Sequence, residues 1–232
     1  METFLLKAED RITDIRETVS IYNHYDKEQL KLPKELPFKN LLNIRDFDLK
    51  PNMGILPHKH INRELITIMV SGNLVQKTNR GETVHLQPGD VQFMSAGSGI
   101  SHFEYNLSGN SWLNCMQVCL EPRKSFTKPL NKTIKLPPNR NAFHTIISPK
   151  KNDNGYLPVD DDFYIHFGMF ESGHNFVHNQ DQHSKGCIVI SLFGNLIVNG
   201  LSLGGKDTLF IWNEETIEIE AEKATDFFLF EA

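Results

Sequence analysis

Two short stretches of this chain hold side chains whose types and spacing could bind a metal. His58 and His60 stand two apart in PHKHINRE (57–64), and His102 and Glu104 stand two apart in GISHFEYN (99–106). Alternate residues of a strand point to one side. His58 and His60 therefore face together with Lys59 opposite, and His102 and Glu104 face together with Phe103 opposite. If the two strands are neighbours in a small barrel, three imidazoles and one carboxylate converge inside it. Such a donor set suits Fe(II), Mn(II), Ni(II), Cu(II) or Zn(II) better than calcium or magnesium. The lack of a cysteine among the four argues against a closed structural zinc site. A six-coordinate ion would keep two positions for water, oxygen or substrate.

A lone H-x-H more often marks a solvated strand end than a site; the second alternating pair and the glycine-rich approach AGSGI reverse that balance. Alternation from His60 passes through 62 to 64 and places Glu64 on the ligand face. There it would orient an imidazole or act as a base, its plainer role being a carboxylate facing water. The other histidines carry less. His85 reads as a surface strand residue and His24 as a packing residue. His144 and His166 have no ligand-spaced partner, and His174, His178 and His183 fall in a polar loop, SGHNFVHNQDQHSKG, read as solvated, with adventitious metal binding as the weaker alternative. Asp90, in PGD, serves its turn by capping backbone amides.

The elements that must position these residues are strands. Short β-rich runs at 41–49, 64–70, 73–78, 82–87, 90–96, 112–120, 164–171, 186–193, 195–200, 207–213 and 224–231 are punctuated by Gly, Asn and Pro. That rhythm predicts an all-β sandwich or barrel. The segment TDIRETVSIYNHYD is compatible with a helix start or an edge strand. In WLNCMQVCL (112–120), Cys115 and Cys119 share one face and read as buried small hydrophobes.

The strands are written twice. SGNLV (71–75) returns as FGNLI (193–197), and GDVQFM (89–94) returns as KDTLFI (206–211). Between the copies lies EPRKSFTKPLNKTIKLPPNRN (121–141), rich in Lys, Pro and Asn, a linker or a crossing strand. The expected organisation is a barrel over 1–125, a connecting segment over 126–141 and a second barrel over 142–232. Carrying the offsets across places Gln180-Asp181-Gln182 and Ile219-Glu220-Ala221 where the first copy has its ligand pairs. The second copy thus keeps the strands without the complete ligand set.

A formal net charge of −5 over 232 residues argues against a general grip on nucleic acid or an anionic membrane surface. The start METFLLKAEDR meets charge too early for a secretory leader, and no apolar run reaches membrane-spanning length. Three cysteines, an odd and low number, fit free thiols in a reducing cytoplasm.

HKHINRELITIMVSGNLVQ and LQPGDVQFMSAGSGISHFEYN, taken together, resemble the pirin family, in particular its bacterial bicupin branch with quercetinase-like activity. The looser similarity runs from HYDKEQL (24–30) to IWNEETIEIEA (211–221). The resemblance implies two cupin (jelly-roll-like) β-barrels in tandem. One metal, usually iron, would be held in the first barrel by His58, His60, His102 and Glu104; related cupins take nickel, manganese, copper or zinc. The second barrel would be a cupin that has lost its site. Two departures fall at the entrance. Lys59, Ile61 and Asn62 replace the family's usual H-P-H-R pattern, and Ser98 replaces a basic residue in A-G-R-G-I.

The activity implied is oxygenolytic ring opening of a flavonol such as quercetin, with dioxygen as co-substrate and Glu104 or Glu64 taking the 3-hydroxyl proton. A second hypothesis is a non-catalytic, redox-sensing metalloprotein acting through a protein partner. A third, a sugar-derivative isomerase, wants basic residues at the pocket, where the site strands offer only Lys59, facing away, and Arg63.

Overall fold

The computed structural model describes residues 1–149, 157–159 and 162–232, which separate into two compact β units. No α-helix occurs among the described residues; the one helical element is a 3-10 turn, Ala8–Asp10. Among the described residues no helix is long and apolar enough to cross a membrane.

The unit made of residues 12–30 and 39–136 has two antiparallel sheets. The larger runs, edge to edge, Leu130–Lys135, Asp90–Ser95, Glu64–Ser71, Leu113–Leu120, Leu41–Leu49, Val19–Asp26 and Thr13–Ile15. The smaller runs Gly54–His60, Ile100–Asn106, Leu74–Thr78 and Thr83–Leu86. Period-two patterning builds the core between them. Val19, Ile21, Phe47, Leu49, Met69, Leu113 and Cys115 from the large sheet pack with Leu74 and Leu86 from the small one. The ambiguous segment TDIRETVSIYNHYD is the edge strand Thr13–Ile15 followed by Val19–Asp26.

The second unit comprises residues 1–11, 31–38 and the described part of 137–232, and repeats the plan. Its large sheet runs Glu2–Leu6, Thr208–Trp212, Gly186–Phe193, Thr225–Glu231, Tyr164–Phe170, Ala142–Ser148 and Leu157–Pro158, the last two pairing parallel. Its small sheet runs Asn175–Asn179, Thr216–Ala221, Leu196–Val198 and Leu201–Leu203. Two placements differ from the expected boundaries. The first residues of the chain pair with Thr208–Trp212 rather than joining the first barrel. Within the expected connector, Leu130–Lys135 pairs with Asp90–Ser95 as an edge strand of the first barrel's sheet. Each barrel thus closes the same edge with a segment lying outside the repeated sequence, which protects that edge from chance pairing.

The ladders also correct the alignment of the repeats. Leu74 pairs with Asn106 in the first barrel and its counterpart Leu196 with Ala221 in the second. The positions of His102 and Glu104 are therefore Ile217 and Ile219, both buried, rather than Ile219 and Ala221. His58 pairs with His102, and His178 pairs with Ile217. His178 accordingly stands at the His58 position, on the strand Asn175–Asn179 rather than in a loop. The second copy has two more residues in the loop after the His178 strand and two fewer in the loop before Thr216–Ala221, which displaced both offsets.

Candidate metal centre

The site is built on the first barrel's small sheet. Gly54–His60 and Ile100–Asn106 pair antiparallel, with His102 across from His58 and Ile100 across from His60. Between His102 and Glu104 the register shifts, because Leu56 and Pro57 together oppose Phe103. Proline has no N–H for the ladder and is tolerated at such a bulge. At the start of this strand a Cβ on Gly54 would lie 2.3 Å from the Glu104 carbonyl oxygen, so only glycine permits the close pairing there.

Three imidazoles meet as the alternation predicts. His102 Nε2 lies 3.0 Å from His58 Nε2 and 3.1 Å from His60 Nε2. Nitrogens bound at about 2.1 Å to one ion, and at right angles to each other, would be about 3.0 Å apart. His58 Nδ1 is 2.9 Å from the Leu56 carbonyl, so it carries the proton and donates it, which leaves Nε2 with a free lone pair. Burial, reinforced by the neighbouring imidazoles and Arg63, lowers the His60 pKa to about 4. Burial and His58 lower that of His102 to about 3. These rings are neutral at pH 7, the form that ligates. The convergence of three imidazole nitrogens on one point fits a bound divalent cation.

Glu104 is 2 % exposed and lies close enough to His58 to feel its charge. Its Oε1 accepts hydrogen bonds from Gln117 Nε2 at 2.8 Å and Gln76 Nε2 at 3.3 Å, neither of which uses Oε2. Burial raises its carboxyl above the usual range, opposed by the Gln117 bond, His58 and the Gln76 bond. The relay continues outward: Gln92 donates to Gln76 Oε1 at 2.7 Å and to Asn131 Oδ1 at 3.1 Å. These glutamines were not anticipated, although the signal was present. Gln117 shares its strand face with Cys115 and Cys119, and Gln76 alternates with Leu74 and Thr78.

Glu64 is not brought to the centre. The chain turns at Asn62, in the left-handed region at φ 48°, and leaves the small sheet. Glu64 then begins a strand of the large sheet, where Leu65 lines the pocket and Glu64, buried, takes the opposite face. Alternation cannot be carried through such a turn. The turn itself is anchored: Asn62 N–H donates to the Gly97 carbonyl at 2.9 Å, and its Oδ1 accepts the Phe126 N–H at 2.6 Å. Gly97 sits at φ 46°, and a Cβ there would meet the Thr127 carbonyl at 2.1 Å.

A pocket of about 640 Å³ opens onto His58, His60 and Glu104, a volume within the usual range for small-molecule sites. Ile21, Phe47 and Leu65 give it apolar walls, while Arg16 and Arg45 line it from the large-sheet side. The strands carrying the histidines supplied no such basic residues; these come from the N-terminal strands, distant in sequence. His24 is fully buried with Nε2 3.0 Å from Asp46 Oδ2, a packing role as expected, and His85 is exposed. Asp90 Oδ2 accepts the Gln87 N–H at 2.7 Å, closing its turn.

Residues 9–120 match the Pirin family model, and residues 145–232 match the model described as the quercetinase C-terminal cupin domain. A pirin-like protein of Caulobacter vibrioides is 30% identical over 220 residues, covering 92% of this chain and 89% of that one. The chain belongs to the pirin family. A quercetin 2,3-dioxygenase of Escherichia coli is 27% identical over 214 residues, covering 92% and 89% of the two chains. In structure, this pirin is similar to the bacterial pirin YhhW of Escherichia coli, solved in complex with nickel(II), at a TM-score of 0.90. That match has 24% identity and covers 99% of this chain and 98% of the other. The double-cupin fold follows from these matches.

Proposed function

We propose that this pirin is a metal-dependent dioxygenase that opens the ring of a flavonol such as quercetin. His58, His60 and His102 would hold one divalent transition metal, Fe(II) by preference and nickel, manganese, copper or zinc as substitutes. Glu104 stands beside them as base or fourth ligand. The observation that carries the reading is the meeting of three imidazole nitrogens at a pocket sized for a small aromatic molecule. A metal held there supplies Lewis acidity and a template for the phenolic oxygens and dioxygen.

The chain's own residues do the rest. Gln76 and Gln117 fix Glu104 through Oε1, leaving Oε2 to accept the 3-hydroxyl proton. Phe47 and Leu65 flank the aromatic rings and exclude water, and Arg16 and Arg45 favour an anionic phenolate at the mouth. Three buried cysteines outside any disulfide are in keeping with a cytoplasmic setting.

The test is aerobic loss of flavonol absorbance with oxygen uptake, after reconstitution with each metal, in wild type and His60→Ala. Turnover that requires both metal and His60 is expected. Stoichiometric metal without turnover of any flavonol would overturn the enzyme reading and favour a metal-sensing protein acting through a partner.

A further inference from the structure

The second barrel holds a cluster that its histidine spacing hides. His166, on Tyr164–Phe170, and Glu231, on Thr225–Glu231, belong to the large sheet, and His178 reaches them from the small sheet. Glu231 Oε2 lies 2.7 Å from His178 Nε2 and 3.3 Å from His166 Nε2. All three ligand atoms fall within 4.8 Å of one another. Side-chain exposures are 6% for His166, 12% for His178 and 1% for Glu231, so the group is sheltered from water.

The register explains how the cluster arose without repeating the first. His178 occupies the His58 position. His166 and Glu231 occupy those of Arg45 and Cys119: Arg45 and His166 face Gln117 and its counterpart Leu229, and Cys119 and Glu231 face Leu65 and its counterpart Cys187. One ligand-type residue is retained and two are new, so the group is neither a remnant of the first centre nor a copy of it.

Supporting contacts prepare the three groups. Thr145 Oγ1 is 3.0 Å from His166 Nδ1. A hydroxyl both donates and accepts, so it can accept a hydrogen bond from Nδ1–H, the tautomer that leaves the Nε2 lone pair for a metal. The Asp181 backbone N–H donates to Glu231 Oε1, which turns Oε2 toward the imidazoles. Tyr164 in turn donates to Asp181 Oδ2 at 3.0 Å, and Phe143 stacks on His166 with centroids 5.1 Å apart. Oriented imidazoles and a hydrogen-bonded carboxylate are what metal sites use around their ligands.

We propose that His166, His178 and Glu231 form a second divalent transition-metal site, of the two-histidine, one-carboxylate type, in the C-terminal barrel. Two neutral nitrogens and one anionic oxygen match Fe(II) and Zn(II) sites that keep positions open for water or an exogenous ligand. The site is independent of flavonol turnover and stands or falls on metal stoichiometry.

The experiment loads chelator-stripped protein with Zn(II) and with Co(II), then measures metal per folded chain and the visible Co(II) spectrum. Wild type should hold two equivalents, His58→Ala/His60→Ala one, and the combination with His178→Ala none. The double variant's remaining Co(II) band should disappear with His178→Ala and with Glu231→Gln, the latter keeping the shape of the side chain. Loss of affinity of at least tenfold is expected from either change, with near-ultraviolet circular dichroism verifying the fold. One equivalent in wild type and none in His58→Ala/His60→Ala would overturn the proposal. So would a second equivalent that survives both His178→Ala and Glu231→Gln in folded protein.

Discussion

In the first barrel the clustered imidazoles all come from two adjacent strands of the small sheet, and the nearby carboxylate is turned aside to two glutamines. In the second barrel one imidazole comes from the small sheet, the other imidazole and the carboxylate come from the large sheet, and all three are in contact. One strand plan thus supports two arrangements. The first barrel also has an open pocket beside its cluster, whereas Ile217 and Ile219 fill the second barrel at the positions of His102 and Glu104.

The largest expected break in this comparison is His60→Ala. If the first cluster alone holds the reacting metal, several kcal/mol of transition-state stabilisation are lost and turnover falls about a thousandfold. Retained flavonol oxidation in this variant would move the chemistry elsewhere. Next comes Glu104→Gln, which keeps the side chain's size and removes its charge. Steady-state kinetics should show kcat lowered about a hundredfold, as for loss of a general base. Metal content should remain near one equivalent in the first barrel. Loss of that metal together with activity would make Glu104 a ligand rather than a base.

Some of this was legible in the sequence because it depends on nearest neighbours. H-x-H and H-x-E report a shared strand face, and the repeated Gly-Asn-Leu turns report the hairpins. What was hidden depends on crossings between distant segments. Glu64 looked inward only because a count of alternate residues ignored the turn at Asn62. Arg45 and Arg16 reach the pocket from strands that give no local sign of it. His166 and Glu231 lie sixty-five residues apart, and the strand holding His178 reads as a loop because Asn175, Val177 and Asn179 face outward around Phe176. The chain's first strand, similarly, finds its partner about two hundred residues away.

A smaller effect compares the repeated turns. Asp90 accepts one backbone N–H, from Gln87, and pairs with the exposed Lys135. Asp207, its counterpart, accepts N–H groups from Gly204 and Ala8 and pairs with Lys7 at 2.7 Å. Asp207 therefore ties the N-terminal strand to its barrel, and Asp207→Ala should destabilise by about 2 kcal/mol, against about 1 kcal/mol for Asp90→Ala. Urea unfolding of the two variants measures the difference; equal losses would mean that the N-terminal strand is held without this carboxylate.

A further effect is one of acid, and it separates the two clusters by size. In the metal-stripped protein, the folded state keeps His60 and His102 neutral down to about pH 4 and pH 3, whereas a histidine ordinarily titrates near 6.5. Above pH 6.5 neither state binds these protons and stability is at its full value. As pH falls below 6.5 the unfolded chain takes them up first, so stability declines until the folded-state values are reached. Each histidine contributes a slope of at most about 1.4 kcal/mol per pH unit. His166 is also lowered by burial, but Glu231 favours its charged form and opposes the shift. Urea midpoints between pH 7 and pH 5 should therefore fall less steeply in His60→Gln than in wild type, while His166→Gln changes the slope less. A steeper dependence in His60→Gln, or a larger relief in His166→Gln, would show that it is the second cluster, not the first, that resists protonation in the folded protein.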